Sequence, residues 1–234
     1  MKEEIAGEVA EAVGHCSAQV NFISKHFCEG GIAMYFIAGI GIMALFLIIE
    51  RFLSLRSLSI SRESINSGVF SAILSGNLKS AIAFCDTNPR PLTNTLKAGL
   101  IQVLNKRPDE EVQVAMDASV LREIPRVEGW SSFLAVLGNM AVLVGLVGTV
   151  IGLIISFGGI AVADNSMKAI LLSQGISEAL NCTAFGLMVA IIAILFHGFF
   201  TIRISKETSL ILEKSMEIMN LVTSNRDKLK NTMS

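Results

Sequence analysis

Charged residues thin out in three long stretches of the chain, and these set its plan. Gly31 to Ile49 runs 19 residues without a charge and is ended by Glu50 and Arg51. Phe133 to Ile160 runs 28 residues without one, and Ile176 to Ile202 carries a single acid, Glu178. About 20 apolar residues suffice for a helix to cross a bilayer core, so the pattern predicts three membrane-spanning helices, over 31–50, 132–160 and 170–202. Before the first, Ile5, Val9, Val13, Cys16, Val20, Ile23 and Phe27 recur at steps of three or four, an amphipathic segment over 1–30 that lies on a membrane or on neighbouring helices.

Between the first and second crossings, 51–131 reads as short helices parted by Gly76-Asn77, Asn88-Pro89-Arg90-Pro91 and Arg107-Pro108-Asp109. Pro108 before Asp109, Glu110 and Glu111 is a helix start, and Pro125 predicts a kink ahead of Trp130. Residues 161–169 are too few for a domain. Beyond the third crossing Ile204, Thr208, Ile211, Ser215, Ile218 and Val222 keep alternating steps of four and three, so 203–234 continues as a helix whose apolar stripe requires partner helices and predicts an oligomer.

Small residues in the crossings follow the same periodicity. Gly138, Gly145, Thr149, Gly152, Ser156 and Gly159 lie along one line of the second crossing, and Ala179, Thr183, Gly186, Ala190, Ala193 and His197 along one line of the third. Such a line either packs tightly against another helix or lines a narrow pore. Gly145, Gly152, Ser156, Gly186 and Ala190 are the candidate pore-lining residues. Threonine hydroxyls donate and accept, so Thr149 and Thr183 would order water in a polar path. Glu178 completes the candidate proton path, because an ionisable group near a membrane core is a functional hypothesis by default. Its plain alternative is a carboxylate in water at the outer interface. Glu178 and Thr183, five residues apart, stand about 140° apart around a straight helix, so both cannot point to one pore axis. Asn181 and Cys182, between them, have no assigned task.

Composition narrows the classes. Apolar residues make up 52% of 234, mean hydropathy is +0.60 and net charge is −1, which indicates an integral membrane protein and argues against nucleic acid as partner. Arg51, Arg56 and Arg62 follow the first crossing while Lys25 alone precedes it closely, so the N-terminus is expected outside, with 51–131 and the C-terminus in the cytoplasm. The loop's ten basic and eight acidic residues over 51–130 point to no ligand. The first residues lack the basic start and apolar run of a signal peptide. Four cysteines show no zinc spacing; Cys16 and Cys28 would pair only outside the cytosol, and a metal held by His15, Cys16, His26 and Cys28 is the remote alternative. There is no P-loop, dinucleotide fingerprint or nucleophile elbow, so the expectation is a protein that is not an enzyme, takes no cofactor and draws energy from an ion gradient or a partner.

The segments GLVGTVIGLIISF and GISEALNCTAFGLMVAIIAIL, with IIERFLSLR and CDTNPRPLTNTLKAGL before them, resemble the MotA/TolQ/ExbB proton-channel family, and three crossings match its ExbB/TolQ branch. The resemblance implies an all-α integral membrane protein of three transmembrane helices with long cytoplasmic helical extensions, a homopentamer around a central pore. That pore would hold two copies of an ExbD/TolR-like single-pass partner in a bacterial inner membrane. Proton flow would drive mechanical work on the periplasm or outer membrane, with Thr149 and Thr183 lining the path and Glu178 handling protons or assembly. Sodium is the alternative ion, and a passive channel or a structural scaffold the alternative function. Two departures stand out: Ile192 replaces the family's proline, which implies a straighter helix, and His197-Gly198 replaces its Tyr-Asn.

Overall fold

A computed structural model describes residues 31–58, 62–161 and 165–225, and every regular element among them is helical. The order is α1 (Gly31–Leu58), α2 (Arg62–Ile65), a π-helical turn (Asn66–Phe70), α3 (Ser71–Leu74), α4 (Leu78–Thr87), α5 (Pro91–Leu104), α6 (Asp109–Glu128), α7 (Ser131–Ile160) and α8 (Lys168–Ser224). The amphipathic segment expected over 1–30, with His15, Cys16, His26 and Cys28, lies outside the described residues. α1, α7 and α8 are long and apolar enough to cross a membrane, with mean hydropathy of 2.2 to 2.5 in their most apolar windows. At most 28% of each window is buried, so most of that apolar surface is left for lipid or other subunits. Helices suit this setting because each closes its backbone hydrogen bonds within itself.

Two compact units divide the chain. The first holds α7 from Phe133, α8 to His197 and α1 to Ile48. In it all three helices meet: a Cβ built on Gly148 of α7 would stand 2.9 Å from the Cys182 Cβ on α8 and 3.0 Å from the Ala33 Cβ on α1. One on Gly41 of α1 would stand 3.3 Å from Val189 on α8.

The second unit takes in Ile49–Ser132 and the rest of α8. Its core is built by the amphipathic short helices: Leu78, Ala81 and Cys85 from α4, Leu92, Leu96 and Leu100 from α5, and Val112, Met116 and Val120 from α6 are buried. The punctuation read from the sequence falls where these helices begin. Asn77 caps α4, its Oδ1 accepting from the Ser80 N–H at 3.1 Å. Pro91 opens α5, where the buried Thr93 hydroxyl accepts from the Arg90 N–H at 2.9 Å. Pro108 stands just before α6, whose first turn holds Asp109, Glu110 and Glu111. α5 and α6 are tied by Asn94, whose Nδ2 donates to the buried Glu123 carboxylate at 3.2 Å, while Arg126 pairs with the same group at 3.1 Å. Cys85 is a free thiol; burial pushes it up to about 11, the Asp86 charge adds to this and Lys97 opposes it.

The break before α7 falls at Gly129. α6 passes through Pro125 to Glu128, and the chain turns at Gly129, with φ 46° and ψ −134°. That conformation is open to glycine alone, and the Arg51 guanidinium occupies the space a Cβ there would need. Arg51 is buried and ion-paired through Nε to Glu50 at 2.7 Å.

Nothing in the sequence pattern announced the π-helical turn. It presents two groups to the buried Lys214 of α8: the Asn66 Oδ1, 3.2 Å from the ammonium, and the Phe70 ring, whose centroid is 4.8 Å from it. Glu217 completes the cradle at 2.6 Å. Buried lysine requires such a set, since an unpaired ammonium in a core is costly.

Candidate functional site

The two small-residue lines face each other inside one chain. A Cβ on Gly145 would stand 3.1 Å from the Cys182 carbonyl oxygen and 3.4 Å from the Gly186 Cα. One on Gly186 would stand 2.7 Å from the Ala141 carbonyl oxygen, and one on Gly152 3.4 Å from the Ala179 Cα. Toward the end of α7 the Ser156 hydroxyl fills the space a Cβ on Gly175 would take, and its proton goes to the Gly152 carbonyl at 2.7 Å. Toward the other end Gly138 faces Ala193 and the Ala190 carbonyl. Gly145, Gly152, Ser156, Gly186 and Ala190 are therefore all buried where α7 and α8 touch backbone to backbone.

This register places the threonines. The helices run antiparallel, with Gly145 opposite 182–186, Gly148 opposite Cys182 and Gly152 opposite Ala179, so Thr149 falls within about 3 Å of the height of Thr183. The Thr183 Oγ1 donates across the contact to the Gly145 carbonyl at 3.3 Å, and the Thr149 Oγ1 donates to the Leu146 carbonyl of its own helix at 2.6 Å. Each hydroxyl proton is thus given to a carbonyl, and each oxygen keeps lone pairs that can accept from water or a hydrated proton. Both side chains are only partly buried, at the rim of the stripe.

Glu178 stands about 7.5 Å along the axis from Thr183, toward the start of α8. It is half-buried, and no hydrogen bond or ion pair to it is formed among the described residues. Helical phase puts it within about 20° of Val189, the residue that meets Gly41 of α1, whereas Thr183 lies on the side of the α7 stripe. Glu178 and Thr183 thus occupy opposite flanks of the stripe, as their spacing required. Near Glu178 stands Asn181, to which the sequence reading assigned no task, and its Nδ2 is buried with no hydrogen-bond partner. Its signal was available: an amide in an otherwise apolar crossing. His197 is partly buried at the end of the line. Among the described residues no three His, Cys, Asp or Glu side chains gather as metal ligands.

Comparison with known proteins bears on the same residues. The profile of the MotA/TolQ/ExbB proton channel family matches residues 87–213. The chain is 30% identical over 193 residues to an ExbB homolog of Methanothermobacter thermautotrophicus, covering 80% of this chain and 67% of that one. It is 28% identical over 191 residues to the ExbB-like 3 protein of Synechocystis, covering 81% and 90%. Over 94 residues it is 39% identical to the Tol-Pal system protein TolQ of Pseudomonas aeruginosa, 40% of each chain. With its three apolar helices and both stripes inside the matched region or adjoining it, the chain belongs to the MotA/TolQ/ExbB proton channel family, in the ExbB/TolQ-like branch.

Proposed function

We propose that this chain is the ion-conducting subunit of a motor in a bacterial inner membrane, driven by the proton-motive force. Five copies surround a pore that holds the single transmembrane helices of two ExbD/TolR-like partners. The N-terminus is periplasmic; 51–131 and the C-terminal part of α8 are cytoplasmic, in keeping with the excess of basic residues after the first crossing. Ion flow is converted into mechanical work for outer-membrane transport, envelope maintenance or gliding.

The observation that carries this reading is the level pair Thr149 and Thr183, each with its proton committed to a carbonyl and its oxygen free to accept. Two such acceptors at nearly one height form a polar step in an apolar wall. A proton carried by water crosses the step by donating to both. The small residues have a supporting part: Gly145, Gly152, Ser156, Gly186 and Ala190 hold the backbones close enough to keep the threonines level. Glu178, on the other flank, receives or releases the ion nearer the periplasm.

Native mass spectrometry of the complex, expressed with and without its single-pass partner, tests the assembly, and proton uptake into proteoliposomes tests the path. The proposal expects five copies with two partner chains, little flux without the partner, and a loss of tenfold or more in Thr149→Ala and Thr183→Ala. Equal flux with and without the partner would indicate a passive channel. Full activity after both substitutions and Glu178→Gln would indicate a scaffold.

A further inference from the structure

We propose that Asn181 is a positioning residue for Glu178, its side-chain amide donating to the Glu178 carboxylate directly or across one water. The side chains are three residues apart on α8, so they sit about one turn from each other on one flank. The Asn181 Nδ2 is shut off from solvent and has no hydrogen-bond partner. An amide donor left so in an apolar span costs free energy, and it is retained where an acceptor comes to meet it.

The surroundings leave few acceptors. On α7 the polar side chains between Phe133 and Ile160 are Asn139, exposed toward the other end, Ser156, packed against Gly175, and Thr149, about 100° around the helix from the Gly148 that meets α1. From Gly31 to Ile49 α1 offers only Tyr35, which is 69% exposed. On α8 itself Ser177, one turn back, points outward and is exposed. Glu178 is the one carboxylate within two turns, half-buried, with no hydrogen bond or ion pair among the described residues; the Cys182 thiol, one turn on, feels its charge. A buried amide donor without an acceptor and a carboxylate without a hydrogen bond therefore lie side by side. Joining them fixes the direction of a carboxylate that otherwise swings about three side-chain torsions, and it holds that carboxylate on the flank away from Thr183. Its use in ion transfer rests on the function proposed above; the hydrogen bond does not.

Infrared spectroscopy of the full complex, reconstituted with its partner, tests the bond. Subtracting the Glu178→Gln spectrum isolates the Glu178 carboxylate band. In Asn181→Leu that band is expected to move, and in Asn181→Gln, which keeps the amide, to return toward its original position. Proton flux should fall about tenfold in Asn181→Leu and recover in Asn181→Gln. Asn181→Ala, which adds no bulk, replaces the leucine variant if assembly suffers. A band that stays in place in both apolar variants overturns the proposal whatever the flux does. A band that moves while flux is unaltered supports the bond and removes Glu178 from the ion path.

Discussion

Gly186→Ala adds one methyl where α7 and α8 leave least room. The new Cβ would stand 2.7 Å from the Ala141 carbonyl oxygen and 3.2 Å from the Gly145 Cα, against 3.4 Å or more in ordinary contact. Both neighbours are backbone of α7 and cannot rotate away, so the helices must part locally by about 0.7 Å. The Thr183 bond to the Gly145 carbonyl, already 3.3 Å, would then stretch to roughly 4 Å and be lost. Overpacking costs about 1–3 kcal/mol and the bond about 0.6 kcal/mol, while alanine's better helix propensity returns about 1 kcal/mol. The net loss is about 0.6–2.6 kcal/mol, a fall in Tm of several degrees for a chain of this size. The assay is thermal unfolding in detergent beside Gly158→Ala on α7, where a Cβ meets nothing within 4 Å and the same propensity gain acts alone. Proton flux should fall with Tm in Gly186→Ala only. If Gly186→Ala proves as stable as Gly158→Ala, the close backbone contact is wrong, and with it the level placement of the threonines.

Gly129→Ala meets both a positive φ and the Arg51 guanidinium, and should cost at least about 2 kcal/mol in the same unfolding assay; a neutral result would refute the turn geometry. Lys214→Met removes the ammonium held by Asn66 and Phe70, so amide hydrogen exchange across 66–70 should quicken while that of α5 stays unchanged. The Cys85 thiol should resist maleimide at pH 8 until the protein unfolds. Below pH 9.0 it is neutral in both states and its contribution to stability is complete; above that the unfolded chain loses the proton first, so stability should decline from pH 9.0 to about 11, and Cys85→Ala should abolish this step.

Much of the fold was written in local chemistry. Asn77, Pro91 and Pro108 stop and start helices by capping and by fixing φ, effects that act within one turn and are visible in sequence. The stripes were equally visible, because a period near 3.5 is a property of one helix. What the stripes touch was not: periodicity says that Gly145 and Gly186 share lines, while the register that sets one opposite the other depends on two helices at once. The 140° between Glu178 and Thr183 was legible for the same reason as the stripes, and their opposite flanks follow from it. The Lys214 cradle was illegible, since it joins residues 148 positions apart through a π-helical turn that no propensity marks. Pro125 stands inside α6, and the stop itself was less legible: Gly129, four residues on, adopts a backbone that ends the helix outright.

The antiparallel register of α7 and α8 also decides where the gene tolerates insertion and deletion. Residues added at Asn165 to Met167 lengthen a connection whose ends stay where they are, and every pairing from Ser156 with Gly175 to Gly138 with Ala193 survives. One residue removed between Gly145 and Thr149 turns everything beyond it by about 100° and draws it back about 1.5 Å, so no glycine on that side meets its mate. Functional variants of this pair of helices that differ in length are therefore expected to differ between Ile160 and Lys168.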